Sequence, residues 1–185
     1  MTRFVPTALV GLALLAGVAR ADDKGTATEL DGLKSRTPEG WKAQEIQSRN
    51  RVYHFVLPKS KGDKYDAELI VFFFGPGGGG GVKANIDRWK GMIAPPEGKK
   101  IDDVSKTEQL KIGDVKATVV DATGTYTHKM RPFDPNEKGE KRENYRLIGV
   151  VFESPNGPYF VRLVGPAKTV EANKKGFDEW LKNFK

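Results

Sequence analysis

The stretch Asp66-Ala-Glu-Leu-Ile-Val-Phe-Phe-Phe-Gly75-Pro-Gly-Gly-Gly-Gly-Gly81-Val-Lys-Ala-Asn-Ile-Asp-Arg-Trp89 reads as three joined pieces. They are a buried strand, a glycine loop and the start of a helix. The unbroken apolar run Leu69–Phe74 is far short of the roughly 20 residues a membrane span needs. β-branched and aromatic residues dominate it and Gly75-Pro76 stops it, so the run reads as a strand. With no polar residue after Glu68, this strand is expected to be covered on both faces and central in its sheet. Beyond the glycines, Val82, Ile86, Trp89 and Ile93 fall on one helical stripe, and Pro95-Pro96 is expected to end that helix. Burying Trp89 under such a stripe is worth about 1.5–3 kcal/mol.

The glycines satisfy G-x-G-x-x-G and lie between a strand and a helix, where phosphate loops occur. A phosphate loop, however, closes with Gly-Lys-Ser/Thr, and this chain reads Gly81-Val82-Lys83-Ala84. A run of consecutive glycines also satisfies almost any glycine pattern by accident. Each glycine costs about 0.5–1 kcal/mol more to order than alanine. The expectation is therefore a flexible connector. The alternative is an anion or ligand cradle made by Gly77, Gly78, Gly79, Gly80, Gly81 and Lys83.

Outward from this stretch, residues 1–21 have the form of an address. Arg3 precedes a mostly apolar run from Phe4 to Val18, and Ala19-Arg20-Ala21 has the small-x-small form of a signal-peptidase site. Export to a periplasm or the exterior, with cleavage near Ala21, is the expectation. The 185-residue chain carries no cysteine, which excludes a disulfide, a thiolate zinc site and a cysteine nucleophile. The formal net charge is +7, and removing Arg3 and Arg20 leaves +5. That suits an anionic envelope component or an acidic protein, or simply solubility. No clustered basic-aromatic motif points to nucleic acid.

Residues 22–37, with only Leu30 and Leu33 as apolar punctuation, read as a flexible lead-in, and 38–185 as a single domain. Pro38-Glu39-Gly40-Trp41 is a turn that delivers a tryptophan to the core edge. In Arg51–Leu57, Tyr53, Phe55 and Leu57 share one face, while Val52, His54 and Val56 share the other. His54 thus reads as a packed or edge histidine. Two hairpins follow, Lys106–Ile112 with Val115–Thr127 around Gly113-Asp114, and Tyr145–Glu153 with Tyr159–Val164 around Ser154–Pro158. Between them, His128–Asn144 is long for a structureless connection and is expected to be a surface loop or a binding loop. His128, Arg131 and Phe133 are its candidate ligand contacts. The chain closes with a helix capped by Thr169, its core face traced by Val170, Phe177, Trp180, Leu181 and Phe184.

Adjacent hairpins imply an antiparallel sheet, with two amphipathic helices packed on it. The expected class is α+β, an antiparallel sheet of about six strands flanked by helices. Pro38-x-Gly40-Trp41, Phe72-Phe-Phe-Gly75, Asn85-x-x-Arg88-Trp89, Tyr145-Arg-Leu, Gly157-Pro-Tyr-Phe160 and Leu163-x-Gly165-Pro166 carry a resemblance to the PsbP-like fold. That fold is shared by the extrinsic photosystem II subunit and a Ran-binding nuclear-transport factor. The wording resembles most closely that of secreted planctomycete-type bacterial proteins. The resemblance implies an α/β/α sandwich and an adaptor role, and it brings no catalytic motif.

No G-x-S-x-G elbow and no H-E-x-x-H motif occurs, and Asp102-Asp103 lacks calcium-loop spacing. No cofactor and no metal are expected, and no membrane span after cleavage. The sequence points to an exported, non-catalytic binding or adaptor domain of the cell envelope. One alternative is a structural component that oligomerises through a sheet edge. Another is a small hydrolytic or anion-binding enzyme, with His54, His128 or Glu68 in a cleft beneath the glycine loop. A concave pocket of converging ionisable groups would favour an enzyme, and a broad apolar patch a partner surface.

Overall fold

The apolar run becomes the strand β5 (Ala67–Phe73), with Leu69, Ile70 and Val71 almost fully buried. The computed structural model describes residues 25–46, 48–130 and 136–185. The address segment 1–21, Arg131 and Phe133 lie outside the described residues. In chain order the other strands are β1 (Ala27–Leu30), β2 (Leu33–Arg36), β3 (Lys42–Ala43), β4 (Arg51–Leu57), β6 (Ile93–Ala94), β7 (Ser105–Ile112), β8 (Val115–His128), β9 (Glu140–Phe152) and β10 (Tyr159–Pro166). The helices are α1 (Val82–Lys90) and α2 (Ala167–Lys182).

The main sheet has 8 strands in the order β3-β4-β5-β10-β9-β8, with β6 and β7 both pairing the far side of β8. Every pairing is antiparallel. The expected class is confirmed, but the sheet is wider than the expected six or so strands. β3 occupies the start of Lys42–Ile46, a stretch that reads as a short strand, while the two-residue β6 is too short to leave a period in the sequence.

Alternation sorts the sheet's side chains onto two faces. Phe55, Leu69, Val71, Val150, Phe152, Val161 and Leu163 meet Val170, Phe177, Trp180 and Phe184 of the α2 side. Val120, Ala122, Leu147, Val151, Phe160 and Val164 meet Ile86 and Trp89 of α1. Gly149 permits the second contact, because a Cβ there would come 2.2 Å from Trp89 Cε3. Trp41 arrives from its turn as expected, 6.1 Å centroid to centroid from Trp180.

Several expectations need correction. Within the lead-in, the described residues from 25 onward are ordered, not loose. Ala27–Leu30 and Leu33–Arg36 form the β1–β2 hairpin, with Thr28 and Leu30 buried and Trp180 Nε1 donating to Thr28 Oγ1 at 2.9 Å. The hairpin's polar alternation disguises it, since only one residue in two faces α2. Helix α1 stops at Lys90 with Gly91 as C-cap, ahead of Pro95-Pro96, and Ile93 joins β6 opposite Tyr126. The His128–Asn144 connection is shortened from both ends, because His128 pairs with Glu140 and Tyr126 with Arg142. Thr169 lies inside α2, whose N-cap is Pro166. Instead of capping, its hydroxyl accepts from the Ser60 amide and donates to Asp63, tying down the loop that feeds β5. No described helix is long and apolar enough to cross a membrane.

Trp89→Ala removes the ring that seats α1 on the sheet. Urea unfolding should show a loss of about 3–5 kcal/mol, as for other buried Trp truncations. A loss below about 1 kcal/mol would mean the seat lies elsewhere.

Candidate functional site

On the α1 face, Ile70 of β5 is flanked by His54 of β4 and Arg162 of β10 in one cross-strand row. Glu68 lies in the adjacent row, opposite Val56 and Val164. It is therefore diagonal to both His54 and Arg162, within reach of long side chains. A bulge in β4 between Arg51 and Tyr53 sets Arg51 opposite Phe72, on this same face. Strict alternation would have sent Arg51 to the other face with Tyr53.

Helix α1 does not cover this part of the sheet, and a cleft of about 590 Å³ opens over it. Arg51, His54, Glu68, Ile70 and Arg162 form its floor. Gly91, Met92 and Ala94 form one wall, and residues 126–130 the other. An adjoining hollow of about 250 Å³ is lined by Tyr65, Tyr126, His128, Arg142 and Tyr145. Glu68, Tyr126 and His128 belong to both.

The floor carries excess positive charge. Arg162 makes no ion pair or hydrogen bond with another described residue, and its Nε is buried without a partner. Its guanidinium carbon lies 5.8 Å from the centroid of Phe72, and that of Arg51 lies 5.9 Å from the same ring. Such cation–π contacts contribute about 0.5–2 kcal/mol, less than the several kcal/mol of desolvating a charge. Burial pulls the Arg162 guanidinium below its ordinary value. Tyr126 and Glu68 oppose that shift, while Arg51 and Arg88 reinforce it. An arginine nevertheless stays protonated. His54 is pulled down from its ordinary value chiefly by burial, with Arg51 and Arg162 adding to the effect. Glu68 opposes this, its Oε1 being 3.9 Å from His54 Nε2. Arg142, by contrast, donates through Nε and Nη2 to Glu140 Oε2, and Tyr65 Oη donates to Glu140 Oε1. The charge in the smaller hollow is thus already matched.

Of the residues singled out in the sequence, His128 lines this cleft and the glycines do not. Gly77–Gly81 and Lys83 lie at the opposite end of α1, where Gly80, Gly81 and Val82 border a separate hollow of about 210 Å³ beside Ser154 and Pro158. Lys83 is turned to solvent and paired with Asp87. The loop is not the free connector expected. The buried Asn85 amide donates to the carbonyls of Gly79 at 2.9 Å, Gly80 at 3.3 Å and Gly81 at 3.0 Å. Arg88 donates in turn to Asn85 Oδ1. Sequence reading missed Arg51 and Arg162. A strand bulge conceals the first. The second is a lone charge inside Tyr159-Phe-Val-Arg-Leu-Val, a signal that was there to be read. His54, His128 and Glu68 do share a cleft, as the enzyme alternative required, but not beneath the glycines.

The fold and site thus define an α+β sandwich with a cationic cleft on one face. No family model matches the chain and no curated protein matches it. Among solved structures it is similar to the cyanobacterial PsbP (CyanoP) of Synechocystis, at 12% identity and a TM-score of 0.49 over 94% of this chain and 98% of that one. It is also similar to a protein of unknown function from Pseudomonas aeruginosa, a putative regulator, at 12% identity and a TM-score of 0.47 over 86% of this chain and 95% of the other.

Two outcomes follow from these contacts. Gly79 has φ +79°, and a Cβ there would lie 2.3 Å from the Phe160 ring, whereas nothing lies within 4 Å of one added at Gly81. Gly79→Ala should therefore lower stability by about 1–3 kcal/mol, and Gly81→Ala should leave thermal melting nearly unchanged. For His54, the folded state holds its proton more weakly than the unfolded chain. Stability is then greatest above the ordinary value near 6.5 and falls as pH drops through it. Subtracting the pH–stability curve of His54→Gln from that of the wild type should isolate this slope, and a flat difference would refute it.

Proposed function

We propose that this chain is an exported binding domain of the cell envelope that captures a small anionic ligand in the cleft of Arg51, His54, Glu68 and Arg162. The observation that carries the reading is Arg162, a guanidinium set into the sheet face without a carboxylate in ion-pair contact, its Nε buried without a partner. Folding alone gives no reason to keep such a charge, because replacing it by a neutral group is commonly neutral or stabilising. Ligand binding does, since an incoming oxyanion meets a preorganised planar donor. The concavity favours a small ligand over a broad protein contact. We assign the sandwich to the PsbP-like kind on the order of its elements and on the residues that carry the resemblance. Asn85 and Arg88, two of those residues, hold the glycine loop. An anionic group borne by an envelope polymer or an acidic protein would suit the same cleft.

A hydrolytic reading is second, supported by the convergence of His54, His128 and Glu68 on one cleft. It lacks an identified nucleophile. The test is a panel of phosphate, sulfate and carboxylate anions titrated calorimetrically into the wild type and Arg162→Gln. The wild type should bind at least one anion. The variant should bind it at least about tenfold more weakly, as befits loss of a charge-assisted contact, with a melting temperature equal or higher. Unchanged affinity together with a lowered melting temperature would make Arg162 a structural residue and remove the proposal's support. Turnover of a phosphate or carboxylate ester that is lost in His54→Gln would install the hydrolytic reading instead.

A further inference from the structure

The cleft is not uniformly positive, and the exception is informative. Glu68 stands diagonal to Arg162, and its Oε1 lies 3.9 Å from His54 Nε2, beyond hydrogen-bond distance. The Glu68 side chain is 44% exposed and makes no hydrogen bond with another described residue. An anion seated on Arg162 and Arg51 therefore also meets an acceptor that nothing else occupies.

Resting on the reading of the cleft as an anion site, we infer that it selects oxyanions that bring their own hydroxyl. The ligand class is hydrogen phosphate or a phosphate monoester retaining one proton, in preference to acceptor-only anions such as sulfate. The arginines and His54 supply N–H donors to the unprotonated oxygens. Glu68 accepts from the remaining O–H. Two anionic oxygens brought together repel unless one of them carries a proton, the same constraint that makes paired carboxylates share one. For sulfate no such proton exists, and the Glu68 carboxylate becomes a repulsive element aimed at the wrong ligand. A site built to receive a hydrogen bond from its ligand discriminates strongly against the analogue that lacks the donor. Glu68 is partly hydrated, which moderates the effect to about tenfold to a hundredfold.

The same geometry explains why a glutamate stands diagonal to Arg162 without pairing closely with it. A direct Arg162–Glu68 ion pair would close the site. Held diagonal, the two groups leave room between them for an ion with donor and acceptor edges.

The experiment compares inorganic phosphate, glycerol phosphate and sulfate at matched ionic strength, near pH 5.5. There both phosphates keep a proton, since the second pKa of a phosphate monoester is about 6. Calorimetric titration of the wild type should give phosphate or its ester an affinity at least about tenfold above sulfate. Glu68→Gln, whose amide both donates and accepts, should bring the anions within about threefold of one another. Raising the pH to about 8 removes the ester's last proton but not that of inorganic phosphate. An ester that weakens more than inorganic phosphate therefore supports the role of the retained proton. Wild type that binds sulfate as tightly as phosphate would overturn the selection while leaving the anion cleft intact. Discrimination that survives in Glu68→Gln would overturn it equally. Absence of binding by all three anions, together with no anion bound in the broader panel, would remove both the selection and the cleft beneath it.

Discussion

Trp89 rests flat against the backbone of Gly149, closer than any side chain at that position would allow. This contact fixes where α1 lies, and α1 has to cover one face of an 8-stranded sheet by itself. It cannot. At 9 residues it is about 14 Å long and about 10 Å wide, while strands stand about 4.8 Å apart. Seated chiefly over β8 and β9 and reaching only part of β10, it leaves the same face of β4 and β5 and the Arg162 stretch of β10 without a helix. The other face has α2 and the β1–β2 hairpin, and its core is closed from Trp41 to Phe184. The cleft is thus the part of a two-sided sheet that one short helix fails to cover.

The chemistry of the uncovered part follows from that geometry. An apolar surface left there would have been a sticky patch, and a uniformly polar one would have interrupted three central strands. The chain does neither. Ile70 stays buried between His54 and Arg162, and the guanidinium carbons of Arg51 and Arg162 lie 5.9 and 5.8 Å from the centroid of the Phe72 ring. Arginine suits such a place because its stem packs while its head remains charged. The head of Arg162 is the part that packing leaves unsatisfied. Two other arginines of the sheet are matched by carboxylates. Arg146 reaches both Asp121 and Glu171, and Arg142 engages Glu140. Arg162 differs from both in being buried without such a partner, and buried groups with strained electrostatics concentrate at functional sites.

Much of the fold was legible in the sequence because its signals were local and strong. The apolar run ending in Phe74, the turns at Gly113-Asp114 and Ser154–Pro158, and the stripe from Val170 to Leu181 each state their structure within a few residues. What escaped was either too short or too distant. β6 is two residues held by β8, across β7, and has no period of its own, whereas β3 lies within the short strand expected over Lys42–Ile46. Thr28 and Leu30 find their burial against α2, more than a hundred residues later. The site escaped for a related reason. Its members come from β4, β5, β8 and β10, and no interval along the chain relates them. A single bulge decides which face Arg51 joins. The glycine run drew attention because it is conspicuous in one dimension. In three dimensions it is a packed corner at the opposite end of α1 from the cleft.

That corner depends on one side chain of a particular polarity. Asn85 presents an NH₂ group to three backbone carbonyls and takes a hydrogen bond from Arg88 on its oxygen. Hydrolysis of the side-chain amide would leave a residue of nearly identical shape with oxygen in place of nitrogen. Three attractions would then become three repulsions, with no change in volume to absorb them. Chemical ageing at this one position would therefore pry the loop from the helix it introduces, turning a packed corner into a loose one without a single change of side-chain size.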